Sequence, residues 1–186
     1  MINSIECPYI ISKLPEHEII KDEVLKLINE CESTQYTFPN DYTDISRTDW
    51  DVSREVERFY LKPVMQPITK LLQNRFDELG YDEIKIRNIW FQQYNKGSEH
   101  GWHVHLGCQW TNVYYLDLPE GSPKTQLLNP MNQDEIIEMD VKEGDVLTFP
   151  SFILHRAPRV ESDVVKTIIS WNSDCNITKV KGYYDF

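Results

Sequence analysis

The stretch that decides the reading is YNKGSEHGWHVHLGCQWTNVYYLDL, residues 94–118. Tyr114, Tyr115 and Val113 mark a β-rich run, and Asn95-Lys96-Gly97 before it has the composition of a turn. Between them stands His103-Val104-His105. On a strand, residues i and i+2 share a face, so this triplet presents two imidazoles side by side. Only one further histidine lies downstream, His155, at the end of the apolar run Val146–Leu154. Three imidazoles on one side of a metal ion leave the opposite positions open for substrate and oxygen, as in facial non-haem iron sites.

Working outward, the chain downstream of Gly80 breaks into short β-rich runs. They are Ile84–Tyr94, Trp102–Leu106, Thr111–Leu118, Lys124–Asn129, Glu135–Val141, Asp145–Phe149, Ile153–Val160 and Val165–Trp171. Pro119–Pro123, Asn129-Pro130 and Glu143-Gly144-Asp145 supply turns between them. About eight short antiparallel strands over residues 81–175 predict a sandwich or barrel, giving a mainly β (α+β) fold. Upstream, apolar spacing predicts helices over Pro15–Ser33 and Arg54–Leu79, the second interrupted by Pro63 and Pro67 and stopped at Gly80. This N-terminal flank, residues 1–80, would cover one face of the sheet. Thr34–Ser53 reads as a long loop around a short helix or strand, with Ser46–Trp50 placed as a lid or substrate loop, and residues 176–186 as a tail. One domain accounts for all of it.

The whole chain sets limits. At 186 residues, with 40% hydrophobic and 12% aromatic content, it can bury a core without metal or disulfide staples. Its net charge of −11, with 19 Lys and Arg among 30 acids, argues against nucleic acid as a partner. Cys7, Cys31, Cys108 and Cys175 are too scattered for a zinc knuckle or a disulfide framework, and reduced thiols in a cytoplasmic protein are expected. No signal peptide is expected at the N-terminus, and no window approaches a membrane span. No heptad pattern points to a particular oligomer.

Three segments together carry a resemblance. Tyr94-Asn-Lys-Gly97 leading to His103-Val-His105, then Gly144-Asp-Val-Leu-Thr-Phe-Pro150 leading to His155, then Lys166-Thr-Ile-Ile-Ser-Trp-Asn172, occur in that order over residues 84–172. The arrangement resembles small prolyl-4-hydroxylase-like Fe(II)/2-oxoglutarate-dependent oxygenases, which implies that residues 81–175 form a double-stranded β-helix, or jelly roll. The resemblance implies Fe(II) held by His103, His105 and His155, which are then also the catalytic set. It implies 2-oxoglutarate as co-substrate, anchored by Lys166 with help from a hydroxyl of Tyr94 or Thr148, and O2 as oxidant. The implied reaction is hydroxylation of a peptidyl or small-molecule C–H. Two positions depart from the family: His105 stands where most members carry a carboxylate, and Lys166 where most carry Arg. A lysine supplies the charge without the planar two-pronged fork.

Other residues near these motifs have weaker readings. Trp102, Asn112 and Arg156 are candidate substrate contacts, Gln93 and Trp90 lesser ones, and His100 reads as an exposed loop residue. A cupin-type metal enzyme would use the same three histidines without 2-oxoglutarate. Gly97-x5-His103-x-His105 and Gly144-x5-Pro150-x4-His155 approach its two motifs, but its usual Glu and Asn are missing. A jelly-roll binding module with no catalytic metal is the remaining alternative.

Overall fold

The structure is a computed structural model, and it describes residues 7–38 and 42–176. Its elements are β1 (Ile10–Lys13), α1 (His17–Glu30), β2 (Thr34–Phe38), β3 (Thr43–Thr48), α2 (Leu61–Glu78), β4 (Glu83–Tyr94), β5 (His100–His103), β6 (Trp110–Asp117), β7 (Gln126–Leu128), β8 (Ile136–Glu138), β9 (Asp145–Pro150), β10 (His155–Ala157) and β11 (Lys166–Asn176). They form a seven-stranded sheet in the order β1-β9-β6-β11-β4-β3-β2 and a four-stranded sheet in the order β5-β10-β7-β8.

The strands from β4 to β11 pair as one long hairpin folded over on itself. β7 pairs with β8, β6 with β9, β5 with β10 and β4 with β11, all antiparallel. This nesting makes the expected double-stranded β-helix. Its register sets His155 opposite His103 and Lys166 opposite Tyr94. Residues far apart in sequence are therefore cross-strand neighbours, about 5 Å apart at the backbone.

Alternation along the major sheet sorts side chains onto two faces. Phe91, Trp110, Tyr114, Val146, Ile169 and Trp171 face the helices and meet Ile20, Val24 and Ile28 of α1 and Val64, Ile68, Leu72 and Phe76 of α2. Tyr94, Val113, Tyr115, Leu147, Phe149 and Ile168 face the minor sheet and pack with Leu127, Ile153 and Ala157. Both helices follow the predicted apolar stripes, although α2 starts at Leu61 and not at Arg54. Pro63 then falls in the first turn, where its missing N–H costs nothing, and only Pro67 lies inside the helix. No helix of the described residues is long and apolar enough to cross a membrane.

The flank is less helical than expected. β1 adds to β9, and the β2–β3 hairpin adds to β4, so the 34–53 segment widens the major sheet instead of forming a loop. In the predicted tail, Asn176 closes β11, and residues 177–186 lie outside the described residues. Gly144, in the turn before β9, has φ +83, and a Cβ there would come within 2.8 Å of the His17 ring. That turn needs glycine for its backbone and for the close approach of α1.

Candidate functional site

The open end between the two sheets gathers four of the histidines. β5 ends at His103, and β10 begins with His155 directly opposite. His105 lies two residues past the end of β5, not within a strand as the sequence suggested. Its amide donates to Ser151 O at 3.0 Å, which keeps this stretch extended and the ring pointed inward. One ring nitrogen from each of His103, His105 and His155 lies within 4.8 Å of the other two, a group able to hold a metal ion.

The tautomers follow from the bonds at the other nitrogen. His103 Nδ1 lies 2.7 Å from Gly101 O, His155 Nδ1 lies 2.9 Å from Ile153 O, and His105 Nδ1 lies 2.6 Å from Asn172 Oδ1. Each acceptor calls for an Nδ1–H donor and so leaves an Nε2 lone pair to ligate; outer hydrogen bonds of this kind orient the rings at metal sites. Burial holds His105 below the usual imidazole range, with the Asn172 bond opposing in part. Burial, and then the neighbouring His103 and His105 rings, hold His155 well below it. Neutral imidazoles are the form that binds metal. The chain's own residues thus fit a divalent ion.

Lys166 is fully buried, and burial lowers its pKa to about 8. Its Nζ donates to Pro123 O at 2.9 Å and lies 5.4 Å and 5.9 Å from the ring centres of Tyr94 and Tyr115. Among the described residues no acid forms an ion pair with it. A buried ammonium with one carbonyl acceptor is costly, and an anionic ligand would relieve that cost. A narrow cavity runs from the histidines past Thr111, Val113, Thr125, Ile168 and Ser170 to Tyr94.

Of four further predicted site residues, Arg156 is among those that line the narrow cavity, and Thr148, Asn112 and Trp102 are not. Thr148 and Asn112 are cross-strand partners on the helix-facing side of the major sheet, where Thr148 Oγ1 donates to Asn112 Oδ1 at 2.8 Å. Neither reaches the cavity, because Phe149, Thr111 and Val113 are the residues turned inward. Trp102 and Arg156 sit one residue out of phase with His103 and His155, on the outer face of the minor sheet. There the Arg156 guanidinium lies 4.7 Å from the Trp102 ring centre, and its Nε donates to Gln126. Gln93 is buried on the helix-facing side of the major sheet, bonded to Arg47 and Thr167.

His100 also differs from expectation. It opens β5, and its ring stacks on His103 with centroids 3.7 Å apart and planes 15° apart. Burial, and then the rings of His103 and His105, hold it neutral. Sequence reasoning missed this residue and Asn172, and it underrated Trp90. The mouth above the histidines, about 330 Å³, is walled by Trp50, Trp90, Tyr36, Asn88 and Gln92. Trp50 meets Trp90 edge to face at 4.3 Å, and Thr48 joins the wall, so part of Ser46–Trp50 does border the mouth, as a strand and its end.

Comparison with known proteins agrees with this geometry. Residues 88–172, which hold all three histidines and Lys166, match the profile of the family described as "Putative 2OG-Fe(II) oxygenase". No curated protein matches the sequence. An oxidoreductase of the 2OG-Fe(II) oxygenase family from Burkholderia pseudomallei superposes with a TM-score of 0.71 at 12% identity, covering 89% of this chain and 85% of its own. A prolyl hydroxylase from Trichoplax adhaerens, solved with a hypoxia inducible factor peptide fragment, gives 0.65 at 16%, covering 89% and 83%. The epimerase SnoN, solved with Fe3+, alpha ketoglutarate and nogalamycin RO, gives 0.66 at 12%, covering 90% and 79%. Such identities speak for a shared fold, while the family match covers the stretch that carries the histidines. Over residues 88–172 the chain is similar to the 2OG-Fe(II) oxygenase family, and its fold is the double-stranded β-helix of these solved oxygenases and prolyl hydroxylases.

Proposed function

We propose that His103, His105 and His155 hold Fe(II), that Lys166 receives the far carboxylate of 2-oxoglutarate, and that the enzyme hydroxylates a C–H group presented at the Trp50–Trp90 mouth. When bound, iron(II) and 2-oxoglutarate supply the oxidation: O2 is consumed, the co-substrate leaves as succinate and CO2, and one oxygen atom enters the substrate. The observation that carries this reading is the convergence of three ring nitrogens within 4.8 Å, each ring held by an acceptor at Nδ1.

The protein's own part is positional. Lys166 supplies a charge at the closed end of the barrel, and Tyr94 forms the cavity wall beside it. The co-substrate dianion would balance both the lysine and the extra positive charge left by a histidine in place of a carboxylate. Trp50 and Trp90 restrict water at the mouth. Peptide and small-molecule ligands accompany the structural neighbours, and either suits a mouth of this size.

The test is an anaerobic titration with Fe(II) and then 2-oxoglutarate, followed by the visible metal-to-ligand charge-transfer band. The band is expected in the wild type, absent in His155→Ala, and formed only at higher 2-oxoglutarate in Lys166→Ala. Tight Fe(II) binding without a band would refute the use of 2-oxoglutarate.

A further inference from the structure

Among the described residues the walls of the mouth carry no acidic or basic side chain apart from the histidines. Beyond Trp50, Asn88 and Trp90, which it shares, a second hollow of about 690 Å³ continues over the surface. Its walls carry three arginines, Arg54, Arg58 and Arg87, in a chain whose net charge is −11. Among the described residues Asp49 is the only acid in those walls, and its carboxylate is already taken. It accepts from Arg58 Nε at 2.6 Å, Tyr60 OH at 2.8 Å and Phe91 N–H at 2.8 Å.

The other arginines are less committed. Arg87 pairs with Asp174, and both side chains keep some exposure. Arg54 is exposed, and among the described residues no ion pair engages it. Nearby acids do not fill the groove: Asp51 and Glu55 are exposed and outside its walls, and Glu57 pairs with Lys62.

We infer that this groove holds an acidic peptide segment adjoining the residue that is oxidised. The inference rests on the oxygenase reading above. The uncharged mouth takes the reacting residue, and the arginines take Asp or Glu side chains next to it. Guanidinium forks match carboxylates in a two-bond geometry. Asn88, on the shared wall, offers an amide donor and acceptor suited to a peptide backbone. Two joined hollows of about 330 Å³ and about 690 Å³ suit an extended chain better than one compact molecule. The overall negative charge does not oppose this, since screening over about 8 Å at physiological salt leaves the local arginines to decide.

A random decapeptide library tests the inference. It is incubated with the Fe(II)-loaded protein, 2-oxoglutarate and air, and peptides that gain one oxygen atom are sequenced by mass spectrometry. Asp and Glu should be enriched about threefold to tenfold on one side of the oxidised residue. Arg54→Glu should turn that preference toward Lys and Arg; the side chain is exposed, so the fold should tolerate the change. Arg87→Glu is the second variant. Oxidised peptides with no acidic bias, or a bias that neither reversal moves, would overturn the inference. So would a wild type that forms the charge-transfer band yet oxidises no peptide. A wild type without the band would bring down the oxygenase reading and this inference with it.

Discussion

Asn172 Oδ1 accepts from His105 Nδ1–H at 2.6 Å, joining the middle of β11 to the proposed metal ligand at the position where similar oxygenases mostly carry a carboxylate. Asn172 is buried, and among the described residues its side chain makes no other hydrogen bond. Its removal should therefore act on the metal before it acts on the fold. We expect Asn172→Ala to weaken Co(II) or Fe(II) binding by about 10-fold to 100-fold. Asn172→Asp should restore or tighten it, because a carboxylate makes the imidazole a stronger donor. Competition against a chelator of known affinity checks both, and equal affinity in Ala and Asp variants would refute the role.

Lys166 sets a pH dependence. In the empty site its pKa is lowered from 10.5 to about 8 by burial. Below about pH 8 the lysine is charged and ready for a carboxylate. Above it, each co-substrate must bring a proton, so the 2-oxoglutarate dissociation constant should rise by up to about tenfold per pH unit. The stability of the ligand-free protein has the opposite trend. Between about pH 8 and pH 10.5 the unfolded chain binds the proton that the folded chain has lost, so stability should rise with pH over that window, by about 3 kcal/mol at most. Lys166→Met should remove the slope, abolish co-substrate anchoring and raise stability at pH 7 by about 1 kcal/mol. Urea melts from pH 7 to pH 10 would show the slope or its absence.

The stack of His100 on His103 should matter to the orientation of His103. His100→Ala is expected to lower Co(II) affinity severalfold, about 3-fold to 10-fold, and to broaden the Co(II) absorption bands. His100→Phe keeps a flat ring at the same place and should recover most of both. If Ala and Phe behave alike, the stack has no part in metal binding.

Asp49 ties the 49–60 segment to β4. With no exposure and three donors on its carboxylate, it should be intolerant of truncation. Asp49→Ala leaves Arg58, Tyr60 OH and the Phe91 amide without their acceptor, and should cost about 3–5 kcal/mol. Chemical denaturation measures this. A loss below about 1 kcal/mol would mean that water replaces the carboxylate.

Much of the barrel was legible because its strands alternate or run apolar, as in Trp110–Asp117, and because glycine and proline punctuate them. The histidine set was legible because two of its members sit two residues apart and only one other lies downstream. Side-chain parity was harder. Thr148 lies seven residues before His155, but the turn at Pro150–Leu154 resets the alternation, and Phe149 is the residue that meets the His155 ring. β2 was missed because its residues are mostly exposed and give no period-2 signal. Asn172 was quoted within a motif, yet its partner lies 67 residues away, and only the register of β11 brings the two together. His100 looked like a loop residue because glycine and charged neighbours surround it. The strand that holds it, only four residues long, has too little pattern to detect.

The nested pairing of β4 through β11 has a consequence for how the protein comes into being. Joining Lys166 to Tyr94 directly would close a very long loop, whereas joining them after β7–β8, β6–β9 and β5–β10 have zipped closes only short ones. Our hypothesis is that the barrel closes from its central turn outward, and pulsed hydrogen exchange in which β4–β11 is protected before β6–β9 would refute it. The chemistry-bearing residues sit on the outermost pairs of this zipper. On that order the proposed metal pocket forms late and the proposed co-substrate anchor last, so on the function proposed above a partly folded chain would have no means of activating oxygen.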